Sequence, residues 1–462
     1  MKTFRPYDLN QPLLLPPDLR DWLPEGHLAL FISDVVDALD LSAIVRAYEQ
    51  GADDRGRPAY HPAMMGKVLV YAYCTGRPSS RKIERATYED VAFRVLAADP
   101  HPDHDSIAEF RKRHLSALAG LFVQVLRLCQ AAGLVTLGHV ALDGTKVKAN
   151  ASKHKAMSYA RMQAAEQRLE QEVAALLVQA QQVDAAEDAQ YGARRRGDEL
   201  PVELARRESR LAKIRAAKLA LEQEARAQAT RAADAAQVKL EARQHREGKA
   251  KGRPPTVPDP ARARPAPSAQ RNFTDPDSRI MKDGATKSFE QAYNAQAAVD
   301  SHAQIVVAAA VTQEAGDVRQ LVPMLEQVRA NLAQWPRIVT ADAGYFSEAN
   351  LAAPQLGVID LYVPPDRQTH GQGPAAGPAP PPPVGAAVRE RMRHKITTPE
   401  GRAVYSRRKV IVEPVFGQIK EARGFRRFSF RGVPKVAAEW VLICLTHNLL
   451  KLFHAGWGLQ PA

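Results

Sequence analysis

The sequence predicts an α/β fold: a mixed-sheet core with an all-helical N-terminal region and an inserted helical hairpin. Three observations carry that reading. Residues 1–135 place apolar side chains at three- and four-residue spacing, with Pro and Gly between the runs, as packed helices do. From Val140 onward, short apolar runs alternate with helical patterns, the order of strands and connecting helices in a mixed sheet. Between the first of those runs and the next, a long polar stretch repeats Met, Leu and Ile at heptad spacing.

In the N-terminal region the helical runs fall at 28–36, 61–73 and 106–132. Ser106 and Glu109 read as a capping box opening the last of these, with Arg111, Lys112, Arg113 and His114 in its next turn. Upstream, SSRKIERATYED (79–90) reads as another short, capped, basic helix. Two helices joined by a turn, one of them basic, suit a helix-turn-helix lying on phosphates, whereas the plainer reading of such charge is a solvated face. The expectation is a nucleic-acid-binding helical domain over 1–135.

Val140 to Leu142 form a short apolar strand that delivers one carboxylate, Asp143, into an Asp-Gly turn, and a strand rich in Lys and β-branched residues leaves it. Residues 136–154 are thus the first piece of the core. The chain then departs. Met162, Leu169, Leu176 and Val183, with Val173 between, line one helix over about 155–187. Leu204, Leu211, Ile214 and Leu221 line a second from Pro201 to Glu247, after a break holding Arg194 to Arg196. The two helices read as an antiparallel hairpin, a solvated spacer. The Pro-, Lys- and Arg-rich segment after Gly248 is too polar and Pro-rich to fold. The inserted part is therefore 155–270.

The remainder, 271–462, completes the core. Two strand-like runs at 291–300 and 303–312 join tightly as a hairpin. A helix over 318–332 is opened by Asp317, and a strand over 338–341 ends at Asp342; a short helix (347–353) and a strand (358–363) come next. Pro364 to Ala387 reads as a polyproline loop. After it come a helical region over 405–425 carrying Glu413, a basic-aromatic run RGFRRFSFRG (423–432), and an apolar helix over 436–453. Asp275 and Asp277 read as cap or turn residues.

Composition narrows the partners. With 64 Lys and Arg against 51 Asp and Glu, the formal charge is +13, which favours a polyanion. A membrane is the weaker option: the N-terminus lacks an apolar leader core, and the 436–453 run is interrupted by Glu439, His447, Asn448 and Lys451. The three cysteines, Cys74, Cys129 and Cys444, each lie in an apolar helical pattern and read as reduced core residues, which points to the cytoplasm.

A carboxylate on a first strand, then a hairpin, a helix, a strand ending in a second carboxylate, and a later helix bearing a Glu is the element order of ribonuclease-H-like nucleases and polynucleotidyl transferases. On the strength of HPAMMGKVLVYAYCTG, DHDSIAEFRKRH, LDGTKVKANAS, TDPDSRIMK with YNAQAAVD, and TADAGYFSEANL, the chain resembles a DDE transposase of a bacterial insertion sequence. The resemblance spans nearly the whole chain. It is to the group with a Tyr-Arg-Glu-Lys signature, and most to insertion-sequence family eleven-eighty-two. It implies a ribonuclease-H-like catalytic core in which Asp143, Asp342 and Glu413 are the catalytic, metal-holding acids. It places the signature at Tyr405, Arg408, Glu413 and Lys420. The gap from Arg408 to Glu413 is one residue longer than the common form, so Arg408 and Lys409 both stand for the arginine.

Two Mg2+ ions about 3.5–4 Å apart, with Mn2+ able to substitute, are the implied cofactors; one activates the attacking oxygen and the other stabilises the leaving oxygen. Hard oxygen ligands explain why the residues are carboxylates. Glu413 and Lys420, seven apart, share a helix face, and Pro414 predicts that the helix begins or kinks at Glu413. Arg426 and Arg427 are further candidates to hold DNA phosphates, with a Phe of the same run stacking on an unpaired base. The implied partners are double-stranded DNA, both terminal inverted repeats and target, and a second copy in the synaptic complex. The alternatives are a structure-selective nuclease of the same fold, against which the extra helical parts argue, and an inactive DNA-binding regulator, against which the three intact acids argue.

Overall fold

The computed structural model describes residues 18–49, 59–191, 202–244, 253–283, 287–366, 381–383 and 385–456, with 49, 179–191 and 202–204 described by their backbone. Two compact units make up the chain, one of residues 1–147 with 294–462, the other of 148–293.

Among its described residues the first unit opens, after a short 3-10 turn (Leu19–Trp22), with six α-helices: α1 (Leu28–Ala38), α2 (Ser42–Glu49), α3 (Pro62–Cys74), α4 (Ser80–Glu89), α5 (Val91–Ala97) and α6 (His104–Ala131). Their apolar stripes are buried, with Ile32, Val35, Leu69, Ile83, Phe93, Leu118 and Val125 among the core. The caps differ from expectation. Asp103 caps α6 by accepting from Ser106 N at 2.7 Å, so the helix starts before the Ser106 capping box, and Ser79 makes no side-chain cap bond to α4. Next comes β1 (His139–Lys148), one continuous strand. Asp143 therefore sits inside a strand and not in a turn. Asp-Gly marks turns because Gly tolerates unusual backbone angles, but Gly144 shows no such angle and is kept small by the close approach of neighbouring side chains.

The second unit holds β2 (Ala156–Ser158), α7 (Tyr159–Tyr191), α8 (Val202–Gln244), β3 (Gln270–Asn272) and β4 (Arg279–Lys282). The helices pair as an antiparallel hairpin over Tyr159, Met162, Leu169, Leu211, Ile214, Ala217 and Leu221. Glu166 bonds Arg215 and Lys218 across the seam, and Glu172 bonds Arg207. Leu176 and Val173 are half-buried; the side chains of Val183 and Leu204, and the Arg194 to Arg196 break, lie outside the described residues. The segment expected to stay unfolded does not. Over 253–269 it runs along the hairpin, burying Pro265 and giving the Ala269 and Pro267 carbonyls to Tyr159 N and Ala160 N. Asp275 is buried and accepts from the Tyr293 hydroxyl at 2.9 Å. β4 pairs antiparallel with the start of β5 (Phe289–Asp300), in a register that sets Arg279 against Ala292.

Beyond Asn294 the chain returns to the first unit with the rest of β5, then β6 (Val306–Thr312), α9 (Leu321–Leu332), β7 (Ile338–Ala341), α10 (Glu348–Leu351), β8 (Asp360–Tyr362), α11 (Val388–Thr397), α12 (Pro399–Gly417) and α13 (Val433–His454). Here the sheet runs in the order β6-β5-β1-β7-β8, with β5–β6 antiparallel and β1–β7 and β7–β8 parallel. The fold is mixed α/β with a helical N-terminal region. α9 begins at Leu321, so Asp317 does not open it.

α12 neither begins nor ends at Glu413. It starts at Pro399, capped by Thr398, and runs through Pro414 into one π-helical turn, Gln418–Ala422. Proline has no N–H for the carbonyl four residues back, and that carbonyl, Val410 O, accepts instead from Gln304 Nε2 at 2.9 Å. α13 is the core helix, packed against α6, α3 and β6. By length and composition α6 and α13 would reach across a membrane, yet two thirds of α13's apolar window, 67%, is buried inside the protein. Of the Pro-rich loop, residues 367–380 and 384 lie outside the described residues.

Candidate active site

The register of two neighbouring parallel strands builds the site. Leu142 on β1 is paired with Ala341 on β7, so the next residue on each strand is an acid, Asp143 beside Asp342. Each acid is fixed by its own backbone: Asp143 Oδ1 accepts from Gly144 N at 2.8 Å, and Asp342 Oδ1 accepts from Gly344 N at 2.8 Å. Burial raises the Asp143 carboxyl to about 6; Arg408 pulls it down and the like charge of Asp342 pushes it up.

From α12 comes the counter-charge. Arg408 Nη1 donates to Asp143 Oδ2 at 2.8 Å, and its Nη2 lies 3.7 Å from Glu413 Oε1. One guanidinium thus links the first and third expected acids. Its neighbour Lys409 is exposed, so Arg408 is the basic residue that enters the site. Glu413 stands at the rim with 53% of its side chain exposed. Tyr405 is half-buried beside Arg408, and burial raises its hydroxyl. From the π turn, Lys420 Nζ donates to Thr145 Oγ1 and Lys146 O, both at 3.2 Å, tying that turn to β1 directly after the acid. A π turn adds a residue to the helical turn and re-aims the side chains beyond it, a device common at functional sites.

Among the described residues no contact joins Arg426 or Arg427 to the acids. Arg426 pairs with Glu421 and Arg427 is exposed. Phe425 and Phe428 are buried, and Arg111 lies over the Phe430 ring at 5.0 Å, so the phenylalanines of this run are packing residues and not an open stacking surface. The run bends without forming an edge strand.

Several neighbours of the acids escaped sequence reading. Asp317 accepts from Asn294 Nδ2 at 2.6 Å and Gln296 Nε2 at 2.7 Å, and Lys146 Nζ lies 4.0 Å from it. Burial lowers Lys146, while Asp317, Asp143 and Asp342 raise it. Gln296 in turn accepts from the buried Tyr345 hydroxyl. One signal was available: Asn294 and Gln296 are polar, two apart, and both fully buried in β5, where period two puts them on one face.

Residues 17–113 match the family model described as Transposase domain (DUF772), and residues 384–453 match that described as Transposase DDE domain. Both matches are to transposase domains, and together they support a DDE transposase of an insertion-sequence family. The second match takes in α11 to α13 with Tyr405, Arg408, Glu413 and Lys420; Asp143 and Asp342 lie outside both matches. No curated protein and no solved structure matches the chain. A DDE domain implies use of a divalent cation. Among the described residues no three acids, histidines or cysteines stand as a ready metal-holding group. The site's donor chemistry nonetheless fits: adjacent carboxylates whose mutual repulsion helps raise Asp143 are the condition that a cation relieves.

Proposed function

We propose that the chain is a Mg2+-dependent transposase that cuts DNA at the terminal inverted repeats of its element and joins the freed 3′ hydroxyl to target DNA, on a ribonuclease-H-like core. The observation that carries this is the side-by-side placement of Asp143 and Asp342 on parallel strands, with Arg408 reaching from the Glu413 helix onto Asp143. The strand order β6-β5-β1-β7-β8 supports the ribonuclease-H-like reading, because it puts the first acid on the central strand and the second on its parallel neighbour. The helical region 1–135 contributes DNA contacts, the 155–270 hairpin is an insertion, and 136–154 with 271–462 form the catalytic core.

Asp143, Asp342 and Glu413 would hold the cations, and Mn2+ would substitute. When bound, such ions lower the pKa of the attacking hydroxyl and stabilise the leaving oxygen. Everything else falls to the chain. Arg408 turns from Asp143 to a DNA phosphate, for which its paired nitrogens are suited. Tyr405 stands beside Arg408, and Lys420 neutralises phosphate charge from a position fixed by its bonds to β1 just after Asp143. Water is the first nucleophile and the DNA hydroxyl the second, with no covalent protein intermediate. Two DNA ends require at least a dimer during synapsis, and the reduced, buried cysteines suit the cytoplasm. The test is a nicking and strand-transfer assay on candidate repeats with Mg2+, Mn2+ or chelator. Cleavage that persists in chelator, or that is absent with every repeat while the folded chain binds them, would count against the reading.

A further inference from the structure

Asp143 and Asp342 are each followed closely by a glycine, Gly144 and Gly344, and neither glycine has a backbone angle that requires it. A Cβ at either would crowd the polar side chains around the acids. A Cβ on Gly144 would lie 2.7 Å from Asp317 Oδ1 and 2.8 Å from Asn294 Oδ1; a Cβ on Gly344 would lie 2.9 Å from Asp342 Oδ1 and 3.3 Å from Asp317 Oδ2. Asp317 therefore lies beside the glycines that follow the two acids, with Oδ1 toward Gly144 and Oδ2 toward Gly344. Its side chain is 17% exposed. A largely enclosed carboxylate costs free energy unless paired, yet its anchors are two neutral amides and a lysine at 4.0 Å.

A second observation points to a ligand at this place. Asn294 is fully buried, and its amide orientation is fixed because Nδ2 donates to both Asp317 Oδ1 and Glu314 O. That leaves Asn294 Oδ1 facing the Gly144 gap with no hydrogen-bond partner. An oxygen held without a donor beside a carboxylate is what a cation, or a water carried by one, would satisfy.

We propose that Asp317 is a fourth acid of the cation site, its carboxylate joining Asp143 and Asp342 in holding a divalent ion. This rests on the metal-dependent reading of the site. The competing role is purely structural, as the acceptor that orders Asn294 and Gln296.

Asp317→Asn separates the two, because the amide oxygen of the replacement still accepts from those side chains while the charge is lost. Mn2+ binding to the full chain is measured by calorimetry for wild type, D317N, D143N and D342N, with thermal melts in chelator to confirm folding. The expected result is that D317N weakens Mn2+ binding at least tenfold, as D143N and D342N do, and melts within a few degrees of wild type. D317N binding Mn2+ within twofold of wild type, while D143N and D342N lose it, overturns the fourth acid and leaves the metal reading standing. Unchanged binding in all three variants overturns both. Should D317N not fold, the wild-type chain loaded with Fe2+ and given peroxide reports the same contact. Backbone cuts beside Asp317 as well as beside Asp143 and Asp342 support the proposal, and cuts beside the latter two alone overturn it.

Discussion

Asp143 shows how a single residue couples burial to chemistry. It lies in the interior of β1, its carboxyl raised to about 6 by burial and held by Arg408 at 2.8 Å. Asp143→Asn keeps the shape and one acceptor oxygen for Arg408 but removes the charge. We expect it to abolish cleavage while DNA binding in a gel-shift assay stays within a few-fold of wild type, and the same of Asp342→Asn and Glu413→Gln. Retained cleavage in any one removes that residue from the triad. Taken alone, each aspartate reads in the sequence as a turn residue; what singled them out was their combination with a later Glu in the order of a mixed sheet. Asp317 was not singled out, since Gly-Asp before a helical run is equally the pattern of a cap, and only the fold shows α9 starting at Leu321. Gly76 is a second residue whose role needed coordinates. Its φ is +71°, and a Cβ there would overlap the Arg423 carbonyl oxygen. Gly76→Ala should destabilise the chain by about 2 kcal/mol or more, read as a lower urea midpoint. An unchanged midpoint would mean that the Arg423 turn moves aside at little cost.

At the scale of elements, periodicity located most helices and the β5–β6 pair to within a few residues, because packing faces leave a spacing behind. Cap positions, the start of α12 and the packing of 253–269 were not legible. Proline-rich composition reports the absence of regular hydrogen bonding, which says nothing of whether a segment such as that around Pro265 is covered. The 423–432 run joins the π turn to α13 and is clamped from inside. Glu439 accepts from Ser429 N and Phe430 N, and the buried Arg423 donates to Ile443 O and to Thr446 Oγ1. With the backbone so held, the exposed Arg426 and Arg427 are presented at a defined distance from Lys420. Replacing both by Ala should weaken binding to element ends and flatten its salt dependence by about one to two units of slope, since each phosphate contact contributes about 0.9. An unchanged slope in a folded variant would leave them as surface charge.

At the scale of the molecule, the first unit is assembled from two distant stretches of chain, and within the second stretch polar side chains of α13 tie that helix to the β5–β6 hairpin. Asn448 replaces a missing strand neighbour: its Oδ1 accepts from Val306 N and its Nδ2 donates to Val306 O, both at 2.8 Å. His447 Nε2 bonds Gln304 O at 3.0 Å, and Trp440 Nε1 donates to Gln296 O at 2.9 Å. His139, at the head of β1, bonds Thr340 Oγ1 on β7 at 3.0 Å. Burial lowers both histidines, His139 to about 4 and His447 to about 3, each helped by nearby arginine charge. The unfolded chain, with histidine near 6.5, therefore binds more protons than the folded one below neutrality. Their contribution is fully present above about pH 6.5 and is lost as pH falls toward 4 and then 3. Glu439, whose carboxyl is raised by burial, acts in the opposite sense, because its folded form takes up a proton before the unfolded one does. The expected outcome is a urea midpoint that falls steadily from pH 7 to pH 4, with each histidine contributing up to about 1.4 kcal/mol per pH unit. His447→Gln, which keeps a donor for Gln304 O, should flatten that fall while lowering the midpoint at pH 7. If the variant and the wild type lost stability in parallel from pH 7 to pH 4, His447 would not be held neutral by the fold.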